Sequence, residues 1–386
     1  MGTGARRSMD SLRSRIFERI LLIKPSALGD VVHTLPVLAK LRARYPDARI
    51  DWLVTPENAE LVRDHPGLSN AVLFARRDYA RLTFPNIASL MNLVREIRAT
   101  RYELVIDLHG QFRSAIFCLL SGAPVRIGFD RPRKSTWQSH PRLAAESQRH
   151  GWKGAREGSW LAYTHRIKVP TLDAHAIDRY LWVGELLGLD DSPPDLRVYL
   201  APAAEMKVRQ LLAERELAHR PLAILVPGTI WGTKHWHVQG FAEVGSYLLQ
   251  KGYDIVIAGG RREKLRCQSV AAACPGAYNL AGQTSLGEVA ALIKRAAICI
   301  TNDSGPMHLA VSLGRPVVSI FGPTDPVWVG PYGRPHAVVR AGVPCSPCYL
   351  RRLKDCPHDH VCMKDVTASM VIERVNRILG PSRAAG

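Results

Sequence analysis

The sequence predicts an α/β protein built from two doubly wound halves, each a mostly parallel sheet covered by helices. Three observations predict it. The chain has 386 residues, more than one ordinary domain holds and enough for two. Short β-branched runs alternate with helix-patterned stretches at βαβ spacing in both halves. The strand-like runs also end repeatedly in turns of Gly, Pro, Asp, Ser or Thr.

Composition narrows the class. With 46% hydrophobic and 22% charged residues the chain is ordinary for a globular protein, which excludes disordered and fibrous classes. Fifty-two Lys and Arg against 34 Asp and Glu leave a net charge of +18, an excess that implies a polyanionic partner such as nucleic acid, phosphorylated lipid or an anionic surface. No stretch approaches the ~18 apolar residues of a membrane span. The basic start MGTGARRSMDSLRSRIFER lacks the apolar core and cleavage site of a secretory signal, so residues 1–19 read as a frayed cationic tail. A cytoplasmic location follows, with the eight cysteines reduced thiols or metal ligands.

The first half, 20–190, opens on Ile20-Leu21-Leu22-Ile23, a short run suited to a buried parallel strand. Lys24 to Asp30 lead into a helical pattern over Val31–Leu38. The strand Ile50–Val54, a helix from about Ala59, the strand Ala71–Phe74, a helix through Val94–Arg98 and the strand Leu104–Leu108 continue the alternation. A basic, Trp-containing stretch from Arg126 to Arg166 has little periodicity and reads as a long surface loop. A helix around Ala176–Leu187 precedes Gly188–Pro194, which signals a linker; residues 191–199 are assigned to it.

The second half, 200–386, places strands at Leu222–Val226, Asp254–Ala258, Ile298–Thr301 and Pro316–Phe321. Helices fit at Phe241–Leu249, Glu263–Ala273, Leu286–Ala296 and Met307–Leu313. Both halves are thus Rossmann-like, although neither contains GxGxxG. Sites in such sheets lie beyond the carboxyl ends of the strands, and two facing halves would place one in the cleft between them.

Chemistry concentrates at those strand ends. Thr301-Asn302-Asp303-Ser304-Gly305-Pro306-Met307-His308 follows a strand and opens a helix, where unpaired N–H groups and the positive dipole end suit phosphate. Asp303 has two readings, a helix cap or a site residue. Pro227–Trp236 ends the first strand of this half and offers Thr229 and Lys234 toward a diphosphate, although Lys234 by itself reads more readily as a solvated surface charge. Gly259-Gly260 with Glu263, and Phe321-Gly322-Pro323-Thr324-Asp325-Pro326, complete the same edge. In the first half, Asp30 is either a helix cap or a general base for a hydroxyl, and His109 either a ligand to substrate or a structural histidine.

These residues carry a family resemblance. KPSALGDVVHTLP, TKHW, TNDSGPMH and SIFGPTDP, in this order between about Ile20 and Val375, resemble glycosyltransferase family 9, the heptosyltransferases of lipopolysaccharide core assembly. Gly154-Ala155-Arg156-Glu157 and His175–Arg179 are more similar to the first heptosyltransferase than to the second. The resemblance implies a GT-B fold and an inverting transfer of heptose from ADP-L-glycero-D-manno-heptose to the Kdo-bearing inner core of lipid A. It implies Asp30 as catalytic base, Lys234 and Thr229 at the donor phosphates, and Asp303, Ser304, Gly305 and His308 in the donor-binding segment. Glu263 is placed with the donor residues. Ile230 stands where relatives often carry a second Thr. Arg76 and Arg77 resemble an acceptor-binding pair, with Arg113, Arg126 and Arg156 as further candidates for an anionic acceptor.

An inverting transfer needs one base and stabilisation of a departing diphosphate. The chain has no Asp-x-Asp, so no catalytic metal is expected; Lys234 and the helix end take that role. Cys345, Cys348, Cys356 and Cys362 have the short spacings of a structural zinc site; plain thiols near the donor pocket and two disulfides are the alternatives. Cys118, Cys267, Cys274 and Cys299 read as core. The positive charge suits docking to the cytoplasmic face of the inner membrane better than nucleic acid, for which no signature is present. Other readings are a family 9 transferase with another donor or acceptor, a nucleic-acid-binding protein, and a non-catalytic ADP-sugar sensor.

Overall fold

The computed structural model describes residues 12–75, 83–131, 152–217 and 219–380, the side chain of Phe84 apart. The described residues divide into two units, one running to Tyr199 and the other starting at Leu200.

In the N-terminal unit β1 (Arg19–Ile23) is followed by α1 (Leu28–Arg44), β2 (Arg49–Val54), β3 (Asn70–Leu73), α2 (Phe84–Ala99), β4 (Leu104–Asp107), α3 (Phe112–Leu120), β5 (Val125–Phe129), β6 (His165–Ile167), α4 (Ala176–Leu181) and α5 (Gly184–Leu187). The strands form one parallel sheet in the order β3-β2-β1-β4-β5-β6. Ile20 to Ile23 are fully buried, as the near-continuous apolar run of a central parallel strand requires.

Three sequence expectations change here. Residues 12–19 are not a free tail: Leu12 and Phe17 are buried, Phe17 packs edge-on against Tyr45, and Arg19 opens β1 with a 2.7 Å ion pair to Glu103. Two apolar side chains at the right offsets outweigh the surrounding charge. The stretch from Arg126 to Arg166 contains β5 and β6 and a short 3₁₀ turn, Ser159–Ala162. Those strands are brief and carry arginines, and Arg126 turns its guanidinium back to the carbonyls of Ala162 and Ala123, so no periodicity betrays them. The segment read as a linker is fastened to this unit. The buried Lys40 ammonium donates to Asp190 Oδ1 at 2.7 Å and to the Ser192 carbonyl at 2.7 Å, and Tyr199 packs on His65.

The C-terminal unit runs α6 (Pro202–Ala213), β7 (Leu222–Val226), α7 (Val238–Gln250), β8 (Asp254–Ile257), α8 (Lys264–Ala273), β9 (Ala277–Asn279), α9 (Leu286–Arg295), β10 (Ala296–Asn302), α10 (Gly305–Ser312), β11 (Val317–Ile320), β12 (Val338–Val339) and α11 (Ala368–Leu379). Its parallel sheet has the order β12-β11-β10-β7-β8-β9. Trp236, Phe241, Ile298, Ile300, Val371 and Val375 lie in one core between sheet and helices. No described helix is long and apolar enough to cross a membrane.

The two sheets repeat one topology. In each, the order reverses beside the first strand of the unit, between β1 and β4 in one and between β7 and β10 in the other. Loops leaving the carboxyl ends of strands on either side of such a reversal diverge and leave a crevice. The loops in question carry Lys24–Asp30 and Leu108–Gln111 in the first unit, and Pro227–Trp236 and Asp303–Ser304 in the second.

Candidate active site

At the first crevice, Asp30 lies in the first turn of α1 rather than at its cap, which is Ala27. Oδ2 accepts the Ala27 N–H at 3.1 Å, and Oδ1 accepts the hydroxyl of Tyr180 at 2.7 Å. Lys24 Nζ stands 3.6 Å from Oδ1, donates to the Leu108 carbonyl at 3.0 Å and rests 4.5 Å from the centre of the Tyr180 ring. Lys24 and Tyr180 are buried, whereas 40% of the Asp30 side chain reaches solvent. Burial pushes the Asp30 pKa up, but Lys24, the Tyr180 hydroxyl and the Ala27 N–H outweigh it and hold the carboxyl below its ordinary value. Burial lowers the Lys24 pKa, an effect opposed by Asp30 and Asp107. Asp30 is therefore an oriented, ionised carboxylate with an open side.

The neighbouring strand supplies a second carboxylate with a different task. Asp107 is fully buried; Oδ1 accepts the N–H groups of His109 and Gly110, and Oδ2 the Tyr163 hydroxyl at 2.8 Å. It shapes the loop that presents His109. The His109 ring lines a recess with Pro25, Ser26, Phe74, Arg113, Ser114 and Phe117, and its Nδ1 finds no partner among the described residues. Burial, then Lys24, lowers its pKa to about 3, so it is neutral. Arg113 is exposed at this recess, and the charge of Arg156 is felt by both Lys24 and Tyr180. Arg76 and Arg77 lie outside the described residues, and Arg126 is occupied by backbone carbonyls.

At the second crevice, Asp303 is buried and does not cap α10; Ser304 holds that position. Asp303 Oδ2 instead takes Lys234 Nζ at 2.6 Å and the Thr324 hydroxyl at 2.5 Å. The Thr229 hydroxyl reaches the Asp303 carbonyl at 3.4 Å. Asn302 ties the β7 loop to β10, its Nδ2 donating to the Pro227 carbonyl at 2.8 Å and its Oδ1 accepting the Trp236 N–H at 3.1 Å. Lys234 is thus a fixed cation, and an ammonium has three donors, so hydrogens remain for a ligand. The Ser304 hydroxyl is buried without a partner among the described residues at the start of α10, where unpaired N–H groups gather. His308 is buried one turn further on. Glu263 leans over the β7 loop so closely that a Cβ at Gly228 would stand 2.2 Å from its Cγ, which accounts for glycine at 228.

Sequence reasoning did not single out Lys24, Tyr180 or Thr324. Lys24 had a signal, a lysine at the end of a buried strand, and Thr324 lay unremarked inside a motif; nothing local distinguishes Tyr180.

None of the eight cysteines is in a disulfide. Cys345, Cys348 and Cys356 are half-buried and close enough to the buried Cys362 to act on it electrostatically, although burial is the main cause that pushes its thiol up to about 12. Cys362 sits under the β11 loop, where a Cβ at Gly322 would come within 3.0 Å of its Sγ. Among the described residues no group of three or more His, Cys, Asp or Glu is placed to hold a metal ion.

Two Rossmann-like units in one chain, each with its polar loops at the topological switch point, are the architecture of the GT-B fold. The family model for glycosyltransferase family 9 (heptosyltransferase) matches residues 90–142 and 140–357, and the chain belongs to that family. It is 28% identical to lipopolysaccharide heptosyltransferase 1 of Pseudomonas aeruginosa over 86% of each chain. It is 29% identical to lipopolysaccharide heptosyltransferase 3 of Escherichia coli K12, over 79% of this chain and 82% of the other. The structure of E. coli heptosyltransferase WaaC with ADP-2-deoxy-2-fluoro heptose superposes with a TM-score of 0.68 at 24% identity, covering 93% of this chain and 99% of that one.

Proposed function

We propose that the chain is an inverting ADP-heptose transferase that extends the inner core of lipopolysaccharide, with Asp30 as general base. The acceptor hydroxyl hydrogen-bonds to the open side of the Asp30 carboxylate. As the proton passes to Asp30, the hydroxyl oxygen attacks the anomeric carbon, the bond to the diphosphate oxygen breaks, and ADP leaves with its electron pair. Lys234, the N–H groups at the start of α10 and the Ser304 hydroxyl meet the growing charge on the diphosphate, a stabilisation that needs no divalent ion. Thr229, Glu263, Gly305 and His308 complete the donor pocket in this reading. Arg113, Arg156 and His109 take the carboxylates and phosphates of a Kdo-lipid A acceptor.

The observation that carries the reading is the Asp30 carboxylate, clamped by Ala27, Lys24 and Tyr180 yet open on one side, at the switch point of its sheet. The family match supports a heptose donor, and the ADP-2-deoxy-2-fluoro heptose named with the WaaC structure supports ADP as its nucleotide. The net charge of +18 supports peripheral docking to an anionic leaflet, at about 1 kcal/mol for each Lys or Arg near the surface. A second reading has a heptosylated core as acceptor; it is favoured by the near-equal identity to relatives named heptosyltransferase 1 and 3.

The test is ADP release with ADP-heptose and either a Kdo-bearing lipid A or a heptosylated core. Wild type should turn over one of them, and Asp30→Ala should lose turnover by roughly a hundredfold or more while still binding donor. Turnover of only the heptosylated core would establish the second reading. Normal turnover by Asp30→Ala would remove the base assignment.

A further inference from the structure

We propose that Arg351, in the Cys-rich segment, is a second cation for the donor diphosphate, brought to the β7 loop on the face of Trp231. This rests on reading that loop as the diphosphate site.

The charge balance at the second crevice calls for such a group. A sugar diphosphate bears a negative charge on each phosphate, and the leaving group gains another as the glycosidic bond breaks. Lys234 already faces Asp303 at 2.6 Å, so the pair contributes little net charge. The dipole of α10 supplies about half a unit of positive charge.

Trp231, in the middle of the β7 loop, carries two cations on its ring: Lys234 Nζ at 4.4 Å from the centroid and Arg351 Cζ at 4.7 Å. An indole is the best cation–π surface among side chains, and a guanidinium lies flat on it while keeping its N–H edge for an anion. Arg351 is exposed and has no carboxylate partner among the described residues, whereas the adjacent Arg352 is taken up by Asp355 at 2.7 Å. The charge of Arg351 is therefore unspent.

The segment that delivers Arg351 is tied to both loops of the crevice. The Thr233 hydroxyl donates to the Leu350 carbonyl at 2.5 Å, and His360 Nε2 bonds to the Thr233 carbonyl at 2.6 Å. On the β11 side, the N–H groups of Cys348 and Tyr349 donate to the Pro323 carbonyl at 3.0 and 2.7 Å, and the Tyr349 hydroxyl accepts the Asp325 N–H at 3.2 Å. Tyr349 adopts φ +58°, a left-handed backbone that a bulky residue takes only where its surroundings impose it. The contacts of Tyr349 hold that turn, and the chain leaves it toward Trp231.

The experiment is calorimetric titration of ADP into the full chain, as wild type, Arg351→Gln, Arg351→Lys and Lys234→Ala, with the melting temperature of each. Gln keeps a flat polar end and loses the charge; Lys keeps the charge. Arg351→Gln should weaken ADP binding about five- to tenfold, Arg351→Lys should retain most of the affinity, and added salt should narrow the gap between wild type and Arg351→Gln. Wild-type affinity in Arg351→Gln would overturn the proposal. So would equal losses in Arg351→Gln and Arg351→Lys with a lowered melting temperature, since these would mark a packing role. If wild type binds no ADP, the donor reading itself has failed; if Lys234→Ala weakens binding while Arg351→Gln does not, only the role of Arg351 has.

Discussion

Tyr180 donates its hydroxyl to Asp30 Oδ1 at 2.7 Å, joining positions 150 residues apart in the chain. The contact exists because α4 packs on α1, bringing a buried phenol over the first turn of a helix that starts where β1 ends. One carboxylate oxygen is thereby fixed by a side chain and the other by the Ala27 amide, so the group has a single orientation. Lys24 lies beneath both, within ion-pair distance of Asp30 and against the Tyr180 ring.

Tyr180→Phe keeps the ring and the cation–π contact and removes only the hydrogen bond. That bond favours the ionised carboxyl, so its loss raises the Asp30 pKa. The acid limb of the kcat/KM profile should move to higher pH, and kcat should fall by about tenfold as the carboxylate loses its fixed orientation. Tyr180 is a positioning residue in this account. An acid limb that stays where it was, whatever happens to kcat, would count against it.

His65 should make the protein acid-sensitive. It is buried, its Nδ1 accepts the Gly67 N–H at 2.9 Å, and burial lowers its pKa to about 4 against an ordinary 6.5. Asp195 opposes that shift and Arg197 adds to it, both from the segment that follows Lys40's partners. The unfolded chain binds the proton more readily, so stability is complete above pH 6.5 and is lost as pH falls toward 4. The loss amounts to at most about 3 kcal/mol from this residue. Urea midpoints measured from pH 7 to pH 4.5 should decline, and His65→Gln should flatten that decline. An equally steep decline in the variant would assign the effect to other groups.

Chelation should leave the transfer reaction intact. The chain offers no Asp-x-Asp to anchor a divalent ion, and in the proposed reaction the N–H groups at the start of α10 and the Lys234 hydrogens that Asp303 leaves over meet the departing diphosphate. Initial rates of ADP release in excess EDTA should match those without it. Activity that vanishes in EDTA and returns with magnesium or manganese would show that a metal takes part.

How far the sequence reaches can be read from particular residues. The strands of both sheets that run apolar for four residues or more, such as Ile20–Ile23 and Leu222–Val226, are legible because burial on both faces leaves a continuous local signature. Asp30, Lys234 and Asp303 are legible because a strand end followed by a helix start is also local, and because the surrounding motifs resemble one family. The short strands β5, β6, β9 and β12 escape notice: two to five residues, some of them charged, are too few for a period to emerge.

What the sequence determined by itself, then, is the alternation of strand and helix and the polar residues at the strand ends. Only the tertiary structure decided the strand order that reverses at β1 and at β7, and the partners that order brings together: Tyr180 and Lys24 to Asp30, Thr324 and Lys234 to Asp303, Arg351 to Trp231. The reason is one of range. A strand or a turn is settled by neighbours within a few residues. A hydrogen bond spanning 150 residues is settled by which way each crossover helix packs, and no local pattern records that choice.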